Sequence, residues 1–248
     1  MSTTTDLRRN PMAPPLPALT PQAEVALLAR MLFREGYDDH LAGHITYRQP
    51  DGTLLCNPWY LLWNELRPEH VIRIDLDGNV IEGDWPAPLG IPLHLEVHAQ
   101  RDDAVVTVHN HPRFGTIWAD AQRVPPTLDQ SSALGGGELV LVEAYTGAVN
   151  DRAAAAVVVE AVGRADLALL SNHGVLVMAS SIRAAHQRAV ALEQRCRHAW
   201  HAEVLGGGTQ LPEPIRSAMA ASDGTRFLGF WEAMARQELR ADPTLLPR

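Results

Sequence analysis

The chain has 248 residues, 46% of them hydrophobic and 20% charged, which is enough to bury a sizeable core and leads us to expect one globular domain. A net charge of −8 without any run of Lys or Arg lacks the electrostatic footprint of a nucleic-acid or anionic-membrane binder. No stretch approaches the roughly 18 consecutive apolar residues of a membrane span, so the expected partners are small molecules. Cys56 and Cys196 are too few for a disulfide framework and suit a reducing cytoplasm.

Residues 1–19, rich in Thr and Pro, read as a disordered tail with no apolar segment of the secretory kind. Thr20-Pro21, followed by apolar residues at helical spacing up to Phe33 and by Gly36, predicts a capped helix. Ala42 to Arg48 and Thr53 to Cys56 read as strands turned at Pro50-Asp51-Gly52, and a second hairpin is signalled at Val71 to Ile81 around Asp77-Gly78. Pro86, Pro88, Gly90 and Pro92 predict a loop, and His94 to Arg101 a helix. Ala104 to His109 is a β-branched apolar run, the pattern of a strand buried on both faces. Strands at Glu138 to Glu143 and Leu167 to Ser171 flank an Ala/Val-rich helix at Asp151 to Val162, and a long helix covers Ile182 to Val204. Gly206-Gly207-Gly208 then opens a polar C-terminal extension, 206–248, with a helix around Thr225 to Leu239. These elements predict a layered α/β domain whose sheet is partly antiparallel, because several connections are too short for crossovers.

His109-Asn110-His111 closes one apolar strand and Asn172-His173-Gly174 closes another. Side chains alternate along a strand, so His109 and His111 point to one face about 6–7 Å apart. A third imidazole from a second strand end completes a site that holds one divalent ion and leaves positions open for substrate. His94 and His98, spaced i,i+4 and flanking Glu96, form a rival pair that suits packing or support of the site as well as ligation.

In their order these residues resemble the class II aldolase/adducin family: Gly43-His44-Ile45-Thr46, Asn57-Pro58-Trp59-Tyr60, His94 through Arg101-Asp102-Asp103, His109-Asn110-His111 and Ser171-Asn172-His173-Gly174. The resemblance spans about residues 20–205 and is loose beyond them. It implies a three-layer α/β/α fold with a mixed central sheet, an ion of zinc, manganese or iron on His109, His111 and His173, and a homotetramer with the site near a subunit boundary. Sugar-phosphate aldolases of the family carry a Ser-Ser-Glu segment, with the Glu as acid/base, where this chain has Pro88-Leu89-Gly90. The phosphate-cradling turns are likewise replaced by Gly43-His44 and by Trp59-Tyr60, with Trp63 close by in sequence.

In this the sequence resembles the branch that holds metal-dependent decarboxylases of hydroxylated aromatic acids. The expected activity is therefore carbon–carbon lyase chemistry on a small hydroxylated or oxo acid, decarboxylation first. Aldol cleavage of a non-phosphorylated substrate, non-haem iron oxygenation of an aromatic acid and a non-catalytic adducin-like scaffold are the alternatives. His44, His94 and Glu96 are the candidate proton carriers. Trp59 and Tyr60 are a candidate substrate wall, although aromatic residues equally pack cores. Arg73 and Arg113 are candidate carboxylate ligands. Glu143 and Tyr145 fall where the family has a strand approaching the site.

Overall fold

The computed structural model describes residues 15–143, 147, 149, 151–220 and 229–246. Helix α1 (Pro21–Arg34) begins where Thr20 accepts the Ala23 N–H through its side chain, with Pro21 in the first turn where no N–H donor is needed. Strands β1 (His44–Arg48), β2 (Leu54–Cys56), β3 (Ile72–Ile74) and β4 (Val80–Glu82) form a meander of antiparallel neighbours. Helix α2 (Ile91–Gln100) starts three residues earlier than the sequence suggests, because Pro92 belongs to its first turn rather than to the loop.

Strand β5 (Val106–Asn110) is followed by α3 (Arg113–Asp120), α4 (Gln130–Ala133), β6 (Leu139–Val142), α5 (Arg152–Val162), β7 (Leu167–Leu170), β8 (Gly174–Ala179) and α6 (Ile182–Val204). The chain ends with α7 (Glu213–Ala220) and α8 (Phe230–Ala241), and Thr225 to Leu228 of the expected C-terminal helix lie outside the described residues.

The eight strands form one sheet in the order β4-β3-β2-β1-β5-β8-β7-β6, antiparallel throughout except for the β6/β7 pair. Alternation sorts its side chains into two cores. Ile45, Leu55, Val106, Val108, Val175 and Val177 face α1, α3 and α6. Ala168, Leu170, Leu176 and Met178 face α2 and α5, and Leu54, Cys56 and Ile72 continue that layer under the start of α2. The fold is the expected three-layer α/β/α arrangement around a mixed sheet. Among the described residues, no helix is long and apolar enough to cross a membrane.

Strand β8 has no counterpart in the sequence reading, which carries Leu167 to Ser171 into a histidine turn and then directly into a helix. Leu170 pairs with Gly174, so the chain reverses at once through Asn172 in the left-handed region. The six residues of β8 are all buried and show no alternation that would betray a strand.

Candidate metal centre

The tight β7–β8 turn is what brings the histidines together. Strand β8 lies against β5 with Asn110 opposite Val175 and His109 opposite Leu176, so the turn that carries His173 sits beside the end of β5. The ring centroids of His109, His111 and His173 form a near-equilateral triangle with sides of 5.1, 4.7 and 4.9 Å. One ligating nitrogen from each lies within 4.8 Å of the other two, an arrangement that could hold one ion. Gly174 makes the approach possible, since a Cβ there would lie 2.4 Å from His111 and 2.6 Å from the Asn110 carbonyl.

Outer contacts orient the rings. His109 Nδ1 lies 2.9 Å from the Val175 carbonyl, and His111 Nδ1 lies 2.7 Å from Asp39 Oδ2. Both oxygens are acceptors, so each Nδ1 carries the proton and each Nε2 keeps its lone pair for a ligand. His111 Nε2 is buried without a hydrogen-bond partner among the described residues, as expected of an atom whose partner is an ion.

Burial, with the neighbouring imidazoles, lowers the His109 pKa well below the usual value and that of His173 to about 4. Neutral imidazole is the form that binds a metal. Burial opposes ionisation of Asp39, but hydrogen bonds from His40 and His111 outweigh it and hold the carboxyl below its ordinary value. Asp39 was not singled out from the sequence, where only its place just before Gly43-His44 marks it.

A second group of imidazoles lies beneath α2. His44 is the cross-strand partner of His109, with ring centroids 5.4 Å apart. Burial, followed by the charges of His111 and His173, lowers its pKa to about 3, and its Nδ1 has no partner among the described residues. Gly90 packs directly on this ring, and a Cβ at position 90 would stand 2.1 Å from His44 Cε1. His94 and His98 share the Thr46 hydroxyl at 2.9 and 2.8 Å, and the His94 ring is 5.7 Å from His44. Neither lies in the three-histidine cluster. Glu96 is turned about 200° around the helix from His94 and accepts a hydrogen bond from Gln100 at 2.7 Å, so the structure does not bring it to the histidines.

The aromatic residues divide. Trp63 is core: it is buried against α1 and donates its indole N–H to the Gly43 carbonyl at 3.3 Å. Asn57 ties the same segment to β1, accepting from the Ile45 N–H at 2.6 Å and donating to the Gly43 carbonyl at 3.2 Å. Trp59 is half-buried and contacts Tyr60 edge-on at 6.2 Å. Tyr60 is 64% exposed and holds a φ of +73°, an uncommon conformation for a side chain of its size.

Arg73 is not brought to the histidines. It lies level with Val106 through the register Arg73–Leu55–Tyr47–Val106, three strands or about 14 Å away across the sheet. Its guanidinium is engaged by Asp51, Glu82 and Thr53. Arg113 opens α3 two residues after His111 and lines a cavity of about 270 Å³ with Arg34, Asp38, Glu193 and Arg197. Glu143 is exposed just beyond β6, and Tyr145 lies outside the described residues.

Comparison with known proteins agrees with this architecture. Residues 23–200 match the class II aldolase and adducin N-terminal domain, and the chain belongs to that family. Decarboxylase NovR of Streptomyces niveus is 25% identical over 227 residues, covering 89% of this chain and 84% of the relative. The 4-hydroxy-3-prenylphenylpyruvate oxygenase/4-hydroxy-3-prenylbenzoate synthase of Streptomyces roseochromogenus subsp. oscitans is also 25% identical over 227 residues, covering 89% of this chain and 82% of its own length. In fold, the chain is similar to an aldolase II superfamily protein from Pseudomonas syringae, with a TM-score of 0.79 at 23% identity over 90% of this chain and 96% of that one. The chain is accordingly an enzyme of the metal-dependent lyase type that this family defines.

Proposed function

We propose that the chain is a decarboxylase of a small hydroxylated aromatic or oxo acid, working with one divalent ion of zinc, manganese or iron held by His109, His111 and His173. The observation that carries this reading is the packing of Gly90 against His44. The resemblance to sugar-phosphate aldolases sets their catalytic carboxylate at position 90, and here the space for any side chain there is filled by an imidazole. A reaction that begins by removing a substrate proton needs a base at that point. Loss of CO₂ does not, since the carboxylate departs as CO₂ and the electron pair of the broken carbon–carbon bond stays on the remaining carbon. When bound, the ion supplies a Lewis acid that draws off that pair through a substrate hydroxyl or carbonyl.

The remaining work falls to side chains. His44, beside His109 and outside the three-histidine cluster, is assigned the relay of a proton to the carbon that loses CO₂: burial keeps its resting ring neutral, so it takes up from solvent the proton that it passes on. His94, fixed through Thr46, backs the His44 ring. Trp59 and Tyr60 extend from the segment tied to the start of β1 and supply an apolar wall suited to an aromatic ring. Arg113 is the arginine retained as a carboxylate ligand, and Arg73 and Glu96 have no part in this reading. The retained histidine triad argues against a non-catalytic scaffold, which has no use for an open metal site. A cytoplasmic homotetramer completes the proposal, on the family resemblance.

A second reading, oxygenation of an aromatic acid on iron, is supported by the similarity to the prenylphenylpyruvate oxygenase. The test is to quantify bound metal and to screen hydroxy- and oxo-acids with and without oxygen. CO₂ release that is indifferent to oxygen is expected. Strict dependence on oxygen and iron selects the oxygenase, aldehyde release selects the aldolase, and a chain that takes up no metal reverts to the scaffold.

A further inference from the structure

The carboxylate of Glu193 on α6 is only 6% exposed and takes no part in the reaction outlined above. Its two oxygens accept the backbone N–H groups of Phe114 and Gly115, each at 2.8 Å. These are first-turn donors of α3, which begins after Pro112 with no side-chain cap of its own. Glu193 therefore caps this helix from almost 80 residues away, and a carboxylate suits a helix N-terminus.

Two segments that shape the metal centre meet at this carboxylate, and one of them packs on a third. The start of α3 is joined to His111 through Pro112. Gly115 packs on Val175, whose carbonyl holds His109, and a Cβ at position 115 would lie 2.7 Å from Val175 Cγ1. The turn at Gly36 lies against Glu193 and leads into Tyr37, anchored to α6 through the Ala189 carbonyl at 2.8 Å, and on to Asp39, which holds His111.

We propose that Glu193 is a positioning residue of the metal centre: by docking the start of α3 on α6, it holds the His109-Asn110-His111 turn where the three imidazoles converge. This inference rests on the metal-binding reading. Burial outweighs the two backbone hydrogen bonds and the nearby Arg197 and Arg113, and raises the Glu193 pKa to about 7. Tyr37 and Cys196 also face it, and Arg34, Glu35 and Asp38 share its cavity. The adjoining cavity of about 270 Å³ gives protons a route to the carboxylate. As the pH falls through 7, one oxygen becomes an O–H donor facing an N–H, and the clamp keeps a single acceptor.

The stability linkage has the opposite sign. A carboxyl raised above its unfolded value stabilises the fold below pH ~4.5 and loses that contribution as the pH rises through 7. Glu193→Gln is therefore expected to melt at pH 8 no lower than the wild type, yet to bind Co(II) about 10-fold or more weakly, within the range of losses for outer contacts of metal ligands. The wild-type Co(II) ligand-field spectrum is expected to change near pH 7; that of Glu193→Gln should differ from it and lack this change. Identical affinity and spectrum in the two proteins overturn the proposal, whereas a wild type that binds no Co(II) overturns the metal reading instead. If Glu193→Gln does not fold, amide exchange in wild-type protein decides. Phe114 and Gly115 protected at pH 8 and deprotected below pH 7 support the clamp, and unchanged protection refutes it.

Discussion

His109 and His186 are both buried imidazoles, one at the end of β5 and the other on α6. At β5, His109 gives its Nδ1 to a carbonyl, His111 gives its Nδ1 to a carboxylate, and the ligating nitrogens of three rings converge within 4.8 Å. On α6, neither nitrogen of His186 has a hydrogen-bond partner among the described residues, and its ring packs against Phe230 and Trp231 of α8 at 4.8 and 5.7 Å. Burial is thus common to a ligand and to a packing residue. The difference lies in whether the polar atoms are oriented by partners and aimed at a shared point.

The contrast is broken most severely by removing a converging nitrogen. His109→Ala should abolish stoichiometric metal and turnover together, and a variant that keeps full metal by elemental analysis refutes the centre. His44→Gln tests the imidazole that stands beside the cluster and outside it. Loss of a positioned proton carrier lowers kcat on the order of 10²–10⁴-fold, while metal content stays at the wild-type level. If metal is lost as well, His44 is a ligand and not a proton carrier. Asp39→Asn leaves the ligands in place and weakens only the orientation of His111. Its expected effect is a metal affinity about 10–100-fold lower, measured by competition with a chelator, and unaltered affinity would mean that the 2.7 Å contact is incidental.

How far these features were legible follows from where their determinants lie. The strands and helices with local signals were readable: the Thr20-Pro21 cap of α1, the Asp77-Gly78 hairpin and the all-apolar β5 run. Strand β8 was not, because only residues 171–173 turn it back from β7, too short a break in sequence to mark a second strand. Helix α3 was also missed, since its cap comes from Glu193, far away in sequence. The three histidines could be named from their strand ends, whereas Asp39 could not, because its role depends on a loop reaching the end of β5. Arg73 shows the converse. An arginine within a strand carries no signal of which end of the sheet it serves, and the register puts it with Asp51 and Glu82.

The smallest effect on activity is expected at the other imidazole. Burial lowers the His186 pKa to about 4, so the folded chain resists a proton that the unfolded chain accepts near pH 6.5. The sign follows directly: stability is full above pH ~6.5 and falls as the pH drops toward 4, by about 2 kcal/mol at pH 5. His186→Leu removes that proton sink and two polar atoms without partners, at similar volume. It should leave metal content and turnover unchanged, match or exceed the wild type in melting temperature at pH 7.5, and lose less of it on transfer to pH 5. A variant that melts lower at both pH values and binds less metal would show that His186 has a partner and a role, and the distinction between converging and packing histidines would fail at its simplest case.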